Sequence, residues 1–284
     1  SSSTSDNSNE ASVQSDDQAR FSNATDAVAN DADLALELSP SFSGRLDRSQ
    51  ITFCNAAAVF DSVSNPRTIT ITYNGADCWG ATSRTGVVVL SMAQGIHWKD
   101  AGAAITITYQ NLKITRISDN KSIILNGSQT YTNVNGGLLI NLPTIGTITH
   151  TITSGNMSVT FEDNTQRTWQ EAKQRVFTYN SGVVITITGT HTDGSNTNIA
   201  EWGTNRLGHT FASSTVQPIV IRQDCSFRIV SGEIKHVTSA VTVTATFGLD
   251  ASGNPTACPG AGHYYLEIVW TGPRGNSLTA ILPY

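Results

Sequence analysis

Charge is what this chain has least of. Only 14% of its 284 residues are Asp, Glu, Lys or Arg, against the roughly 25% usual for a globular domain. That scarcity excludes a basic nucleic-acid binder, a coiled coil and an Ala/Glu/Lys-rich helical protein. Long hydrophobic runs are missing as well, and nothing approaches the ~20 apolar residues that cross a bilayer as a helix. Cysteine is limited to Cys54, Cys78, Cys225 and Cys258. None of them stands in C-x-x-C spacing or near a His at zinc-finger spacing, which argues against a structural zinc site. There is no G-x-S-x-G elbow and no Gly-rich loop leading into a helix. Nothing in the sequence brings two acids together as a glycosidase requires. The sequence therefore assigns no catalytic residue and no cofactor, and the chain reads as a non-enzyme.

Neutral polar residues take the place of charge: 37 Thr, 30 Ser and 23 Gly. From residue 50 onward apolar and polar residues alternate with period 2. Thr68–Tyr73 is TITITY, Ala104–Tyr109 is AITITY, Gly146–Thr153 is GTITHTIT, Val183–Thr190 is VVITITGT and Val241–Phe247 is VTVTATF. β-Branched aliphatics alternating with threonine fit strands with one buried and one wet face. Turn signals such as Asn74-Gly75, Asn126-Gly127 and Asp193-Gly194 separate them. The expected fold class is all-β, with antiparallel sandwich-like or open-barrel units and one N-terminal helix.

That helix is expected over 15–39, with Ser15 as its cap and Asp16 and Asp17 at its positive end. Phe21, Ala24, Val28, Ala32 and Ala35 recur at helical spacing as a narrow, mostly Ala stripe, and Pro40 ends it. Residues 1–14, rich in Ser, Asn and Asp, read as a flexible acidic leader. Residues 1–38 carry eight acids and one base, leaving 14 acids and 16 bases for the rest. An acidic leader on a near-neutral body disfavours nucleic acid and anionic membrane as partners. The chain opens on Ser1 without an apolar signal segment, so a presequence is expected to have been removed. Membrane attachment would then rest on a lipid anchor upstream of residue 1.

A weak repeat divides the β region into expected units at 45–160 and 161–284. Each contains a Cys, a strand, a turn, a Thr-alternating strand, a Gly and a second Cys: Cys54 to Cys78 with Gly80, and Cys225 to Cys258 with Gly260. Four cysteines allow three pairings. A cysteine before a hairpin and one after its second strand can lie close together, which favours Cys54–Cys78 and Cys225–Cys258; four free thiols are the alternative. Disulfides would place the chain in an oxidising compartment, outside the cell or on the outer-membrane surface.

The run TITITYNGADCWGATSRTGVVVLS, then WKDAGAAITITYQNLKITR, GSQTYTN, MSVTFEDNTQRTWQ and QDCSFRIVSG resembles the hypothetical Thr-rich surface lipoproteins of Bacteroidota. The most specific parts are Cys78-x-Gly80 with Arg84-x-Gly86, Asp100-Ala101-Gly102 and Arg167-Thr168-Trp169. The resemblance implies an exported β-rich protein and supplies no activity. The chain departs from the family in having Trp79-Gly80-Ala81 where an Asp-Gly turn is usual. Asp61-Ser62-Val63 resembles a short O-glycosylation motif of Bacteroidota, which makes Ser62 a candidate for modification.

Several residues are candidates for binding. His150 alternates with Ile148 and Ile152, which places it on the core face, where it could meet His191 across strands. Asp193, Ser195 and Asn196 place oxygens as a weak calcium loop would, but they are equally good turn formers. Trp79 is expected to pack on a disulfide. Trp98 and Trp202 stand in loop-like contexts, where exposed rings could stack on sugars. Two functions follow as expectations. One is a cell-surface scaffold or extracellular filament subunit that associates with itself or with other surface proteins. The other is a glycan-binding β-sandwich module using Trp98 and Trp202.

Overall fold

The computed structural model describes residues 2–46, 52–78, 80–258 and 264–284. Trp79, Gly260 and His263 lie outside the described residues. A long helix, α1 (Ser2–Leu38), is followed by the single turn α2 (Pro40–Ser43). Pro40 opens that turn, and Gly44 closes it in the left-handed conformation, φ 82°. The remaining chain is all-β apart from a few short turns, and its strand pairing is mostly antiparallel. It separates into two compact units.

The first unit comprises residues 18–141 and 148–170. Its strands are β1 (Ala56–Asp61), β2 (Arg67–Ala76), β3 (Thr82–Met92), β4 (Ala103–Arg116), β5 (Lys121–Asn133), β6 (Thr147–Ser154) and β7 (Ser158–Phe161), with the start of β8 (Gln166–Tyr179). β1 to β6 pair in succession, and β7 pairs with β5 and β8. Ile69, Ile71 and Tyr73 of β2 are buried, while Thr68, Thr70 and Thr72 between them face outward. The register carries this alternation across the sheet. Thr68 lies opposite Ser91, Ser91 opposite Thr106, Thr106 opposite Thr130 and Thr130 opposite Thr153. The result is a row of hydroxyls across five strands, which keeps the outer face wetted while retaining high strand propensity. The inner face meets α1 through Phe21, Ala24, Val28, Ala32 and Leu36, all buried. Trp169 of β8 stacks on Phe21 with ring centres 5.3 Å apart. Gly86 has φ 108° and lies so close to the carbonyl of Asn111 at the β3–β4 bulge that a Cβ would collide with it.

The second unit comprises residues 1–17, 142–147 and 171–284. It contains the rest of β8 and β9 (Val183–Gly189), β10 (His191–Asp193), β11 (Asn196–Thr204), β12 (Thr210–Arg222), β13 (Arg228–Thr238), β14 (Thr242–Leu249), β15 (Tyr265–Thr271) and β16 (Ser277–Pro283). The path runs β11, β12, β13, β14, β15, β16, and β9 pairs with both β8 and β12. Ala11 of α1 is buried with Val241 and Val243, and Ile268 and Trp270 pack on the same cluster.

The structure changes two expected bounds. Helix starts at Ser2 rather than Ser15, so residues 2–14 are helical and not an unstructured leader. Ser15 lies inside the helix and does not cap it. The composition of this stretch is poor for a helix taken alone, but Glu10 finds partners far along the chain, described below. The β region divides at 170/171 instead of 160/161, within β8, whose first residues belong to one unit and the rest to the other.

Both local disulfides form. Cys54–Cys78 closes around the β1–β2 hairpin with Cα atoms 5.5 Å apart, and Cys225–Cys258 closes around β13–β14 at 5.4 Å. Bridges of this kind persist in oxidising surroundings, which fits an extracellular setting. Among the described residues, no helix is long and apolar enough to cross a membrane. In the chain-entropy model the 24-residue separation of Cys54 and Cys78 corresponds to about 3–4 kcal/mol. Cys54→Ser with Cys78→Ser is therefore expected to lower unfolding stability by that order in urea titrations. An unchanged urea midpoint would show that the bridge does not restrain the unfolded chain.

Candidate functional site

The acids of α1 organise the interior of each unit. In the first unit Asp31 Oδ2 accepts from the Tyr73 hydroxyl at 2.6 Å and from Arg84 Nη1 at 2.9 Å. Arg84 Nη2 donates to Asn55 Oδ1 at 2.9 Å, and Asn55 Nδ2 donates to the Gly75 carbonyl at 2.9 Å. The guanidinium also lies 4.2 Å from the Tyr73 ring centre, a favourable cation–π placement. Asn55 follows Cys54 directly, so this chain of bonds links the helix to the disulfide loop.

Two residues further along α1, the Asp33 carboxylate accepts from the Tyr131 hydroxyl at 2.9 Å. That hydroxyl has a single proton. With the proton given to Asp33, its oxygen accepts from His150 Nδ1 at 2.7 Å, which sets the proton on Nδ1 of the ring. Trp98 covers both groups, with ring centres 5.3 Å from Tyr131 and 5.1 Å from His150. Glu37 accepts from the backbone N–H of Leu139. Burial pushes its carboxyl up from the usual 4.5 to about 8, against the lowering effect of the Leu139 bond and with some help from Asp33.

In the second unit Glu10 accepts from Asn205 Nδ2 at 2.9 Å and meets His209 Nδ1 at 2.7 Å. Arg206 holds Asp17 through two bonds, at 2.8 and 2.7 Å. Glu10 and Asp17 are both buried. Two further buried clusters lie here. Lys173 Nζ sits 3.4 Å from Glu171 and 3.9 Å from Glu201, so it lies between two buried carboxylates. Ser213 Oγ bonds His236 Nδ1 across β12 and β13. His236 is held neutral, its pKa pushed by burial down to about 4. Ser213 is 0% exposed and His236 3%, so the pair is sealed from any substrate.

A cleft of about 440 Å³ opens in the first unit between residues 19–31 of α1 and the strands. The Cys54–Cys78 bridge, Arg84, Arg116, Ile114 and Ile123 line it on the strand side. The helix presents Ala19, Ala24 and Ala27 to it, beside Arg20 and Asp31. Arg20 is 3.2 Å from Glu162, and Arg116 pairs with Asp119.

The residues singled out in the sequence are scattered. Trp98 is 0% exposed and packs in the core instead of standing in an open loop, so it offers no face to a sugar. Trp202 is half-buried, with one ring face covered by His191 at 3.8 Å and nearly parallel. His150 faces the core as its alternation implied, but its partners are Tyr131 and Asp33, while His191 stacks on Trp202. Asp193, Ser195 and Asn196 form the exposed β10–β11 turn, with Asp193 opposite Asn196. Among the described residues, the one grouping with metal-ligating atoms close together is Asp224, Cys225 and Cys258, and both of those thiols are spent in a disulfide. Ser62 is exposed in the turn after β1, where Asp61 accepts from the N–H groups of Val63 and Ser64.

Sequence reasoning missed the interior acids altogether. One signal was present: Trp169, Glu171, Lys173, Arg175 and Phe177 alternate along β8, which puts three charges on an apolar strand face. Comparison with protein-family models, with curated proteins and with solved structures finds nothing that matches this chain.

A carboxyl whose folded pKa is raised stabilises the fold fully below its unfolded value and loses that contribution as pH rises through the folded value. For Glu37 the window runs from about 4.5 to about 8, and the loss is on the order of a few kcal/mol. Glu37→Gln keeps an acceptor for Leu139 and cannot ionise. Thermal melts are expected to show the two proteins alike at acid pH, with the variant the more stable by several degrees above pH 8. Parallel pH profiles would contradict a buried, protonated Glu37.

Proposed function

We propose that this chain is an exported structural protein of the cell surface, a subunit that joins copies of itself edge to edge into a filament or scaffold. The observation that carries the reading is a pair of open strand edges. Among the described residues β1 pairs with β2 alone, and β16 with β15 alone. Both expose large apolar side chains. Val59 of β1 is 68% exposed, and Leu278 of β16 is 59% exposed. Within these two strands Asp61 is the sole charge.

Soluble proteins normally blunt an edge with lysines, bulges or a covering loop, because unpaired N–H and C=O groups recruit further strands. An edge left uncharged and apolar suits strand addition. β1 and β16 differ in sequence, so a contact of one with the other is heterologous and continues from copy to copy. The Cys54–Cys78 bridge braces the β1–β2 hairpin at one of these edges, and the disulfides fit an oxidising exterior.

The test compares the protein with its Val59→Lys and Leu278→Lys variants by sedimentation velocity and negative-stain microscopy over a wide concentration range. The expected result is concentration-dependent linear assembly that either substitution reduces to isolated particles. Isolated particles at every concentration, or assembly untouched by both substitutions, would overturn the reading.

A further inference from the structure

The buried lysine of the second unit stands where a covalent bond between two strands can form, and this possibility is independent of the strand edges. Lys173 of β8, Glu171 two residues before it and Glu201 of β11 are 5%, 1% and 1% exposed. Lys173 Nζ lies 3.4 Å from a Glu171 carboxylate oxygen and 3.9 Å from one of Glu201. The backbone is shaped to bring these groups together. Gly189 of β9 stands opposite Lys173 in register. A Cβ on Gly189 would collide with the backbone of Asn198, Ile199 and Ala200. Its missing side chain therefore lets β11 run close beside β9 at the level of Lys173. Between Ile199 and Glu201 the pairing of β11 with β12 shifts register. Such a bulge re-aims the side chain that follows it.

Charges held in an interior are costly, and replacing a buried ion pair by neutral groups is often neutral or stabilising. An amide between lysine and glutamate removes both charges and leaves the side chains where they are. The balanced step starts from Lys173 as ammonium, Glu171 as carboxylate and Glu201 in its acid form. Glu171 takes one proton from Nζ, which frees the nitrogen lone pair. Nζ attacks Cδ of Glu201 and the N–C bond forms. Glu171 gives its proton to the departing hydroxyl, the C–O bond breaks and water leaves. Glu171 then takes the second nitrogen proton and ends as a neutral acid beside the new amide. No oxidant, reductant or activated donor enters. The flexible lysine stem closes the remaining distance to the ~3–3.5 Å of a near-attack geometry. Exclusion of solvent favours the condensation and protects its product from hydrolysis.

We infer that Lys173 and Glu201 join in an intramolecular isopeptide bond between β8 and β11, with Glu171 as the proton shuttle. The test is intact-mass spectrometry of the full, folded chain, followed by tandem sequencing of its protease digest. The expected mass is lower, by one water molecule, than the sequence with both disulfides formed requires. The digest is expected to contain a branched peptide in which Lys173 is joined to Glu201. Glu171→Gln leaves both joined residues in place and is expected to cut the bonded fraction at least tenfold. Lys173→Arg, which keeps the positive charge, is expected to show the full mass. Should either variant fail to fold, the mass and the branched peptide of the native chain still decide the matter. The inference is overturned by the full mass in the folded native chain, or by a lost water that maps elsewhere, including between Lys173 and Glu171. A bonded fraction unchanged in folded Glu171→Gln overturns it as well.

Discussion

A carboxylate can leave water only where donors meet it inside. Helix α1 buries Glu10, Asp17, Asp33 and Glu37, and each is met by a group from a strand or loop far away in sequence. Asn205 and His209 hold Glu10, Arg206 holds Asp17, Tyr131 holds Asp33 and the Leu139 amide holds Glu37. Taking away one partner would leave a buried acid unmatched, a loss of about 3–5 kcal/mol for a charged pair. The apolar contacts of α1 are modest, since most of its stripe is alanine. What fixes the helix in place and in register is therefore this set of polar bonds, which tolerates no slip along the strands.

The same constraint explains how the sheet faces are used. In the first unit the inner face mixes Ile69 and Ile71 with Tyr73 and Tyr131, whose hydroxyls reach the helix acids while their rings fill the core. The outer face spends its positions on threonine and serine, which hold the strand conformation and stay hydrated without charge. Low charge fits this division, because the outer face relies on hydroxyls. The arginines beside the disulfide serve both arrangements, because Arg84 clamps Asp31 and lines the cleft at once.

Much of this was legible in the sequence wherever the signal is local. TITITY marks β2, and the two Cys-strand-turn-strand-Cys segments mark the bridged hairpins, because a hairpin brings its own ends together. The start of α1 was not legible, since residues 2–14 look like a solvated leader and the groups that hold Glu10 stand some 195 residues later. The inward turn of Trp98 was not legible for a related reason. Its loop lies between strands, as GIHWKDAG suggests, but loop position does not set side-chain direction, and the ring turns inward between Tyr131 and His150. The cleft arises from helix alanines facing strand residues about ninety positions further on, a juxtaposition that no window of sequence contains. Gly86, by contrast, is explained only by the structure, where the Asn111 carbonyl occupies the space of its missing side chain.

The most direct measurement is hydrogen–deuterium exchange along α1 in the native protein and in an Arg206→Ala, Asn205→Ala variant. The account predicts that the amides around Glu10 and Asp17 are protected in the native chain. In the variant they should exchange at least tenfold faster, with β2 to β5 unaffected. Rapid exchange of residues 8–17 in the native protein, or protection that survives both substitutions, would contradict it.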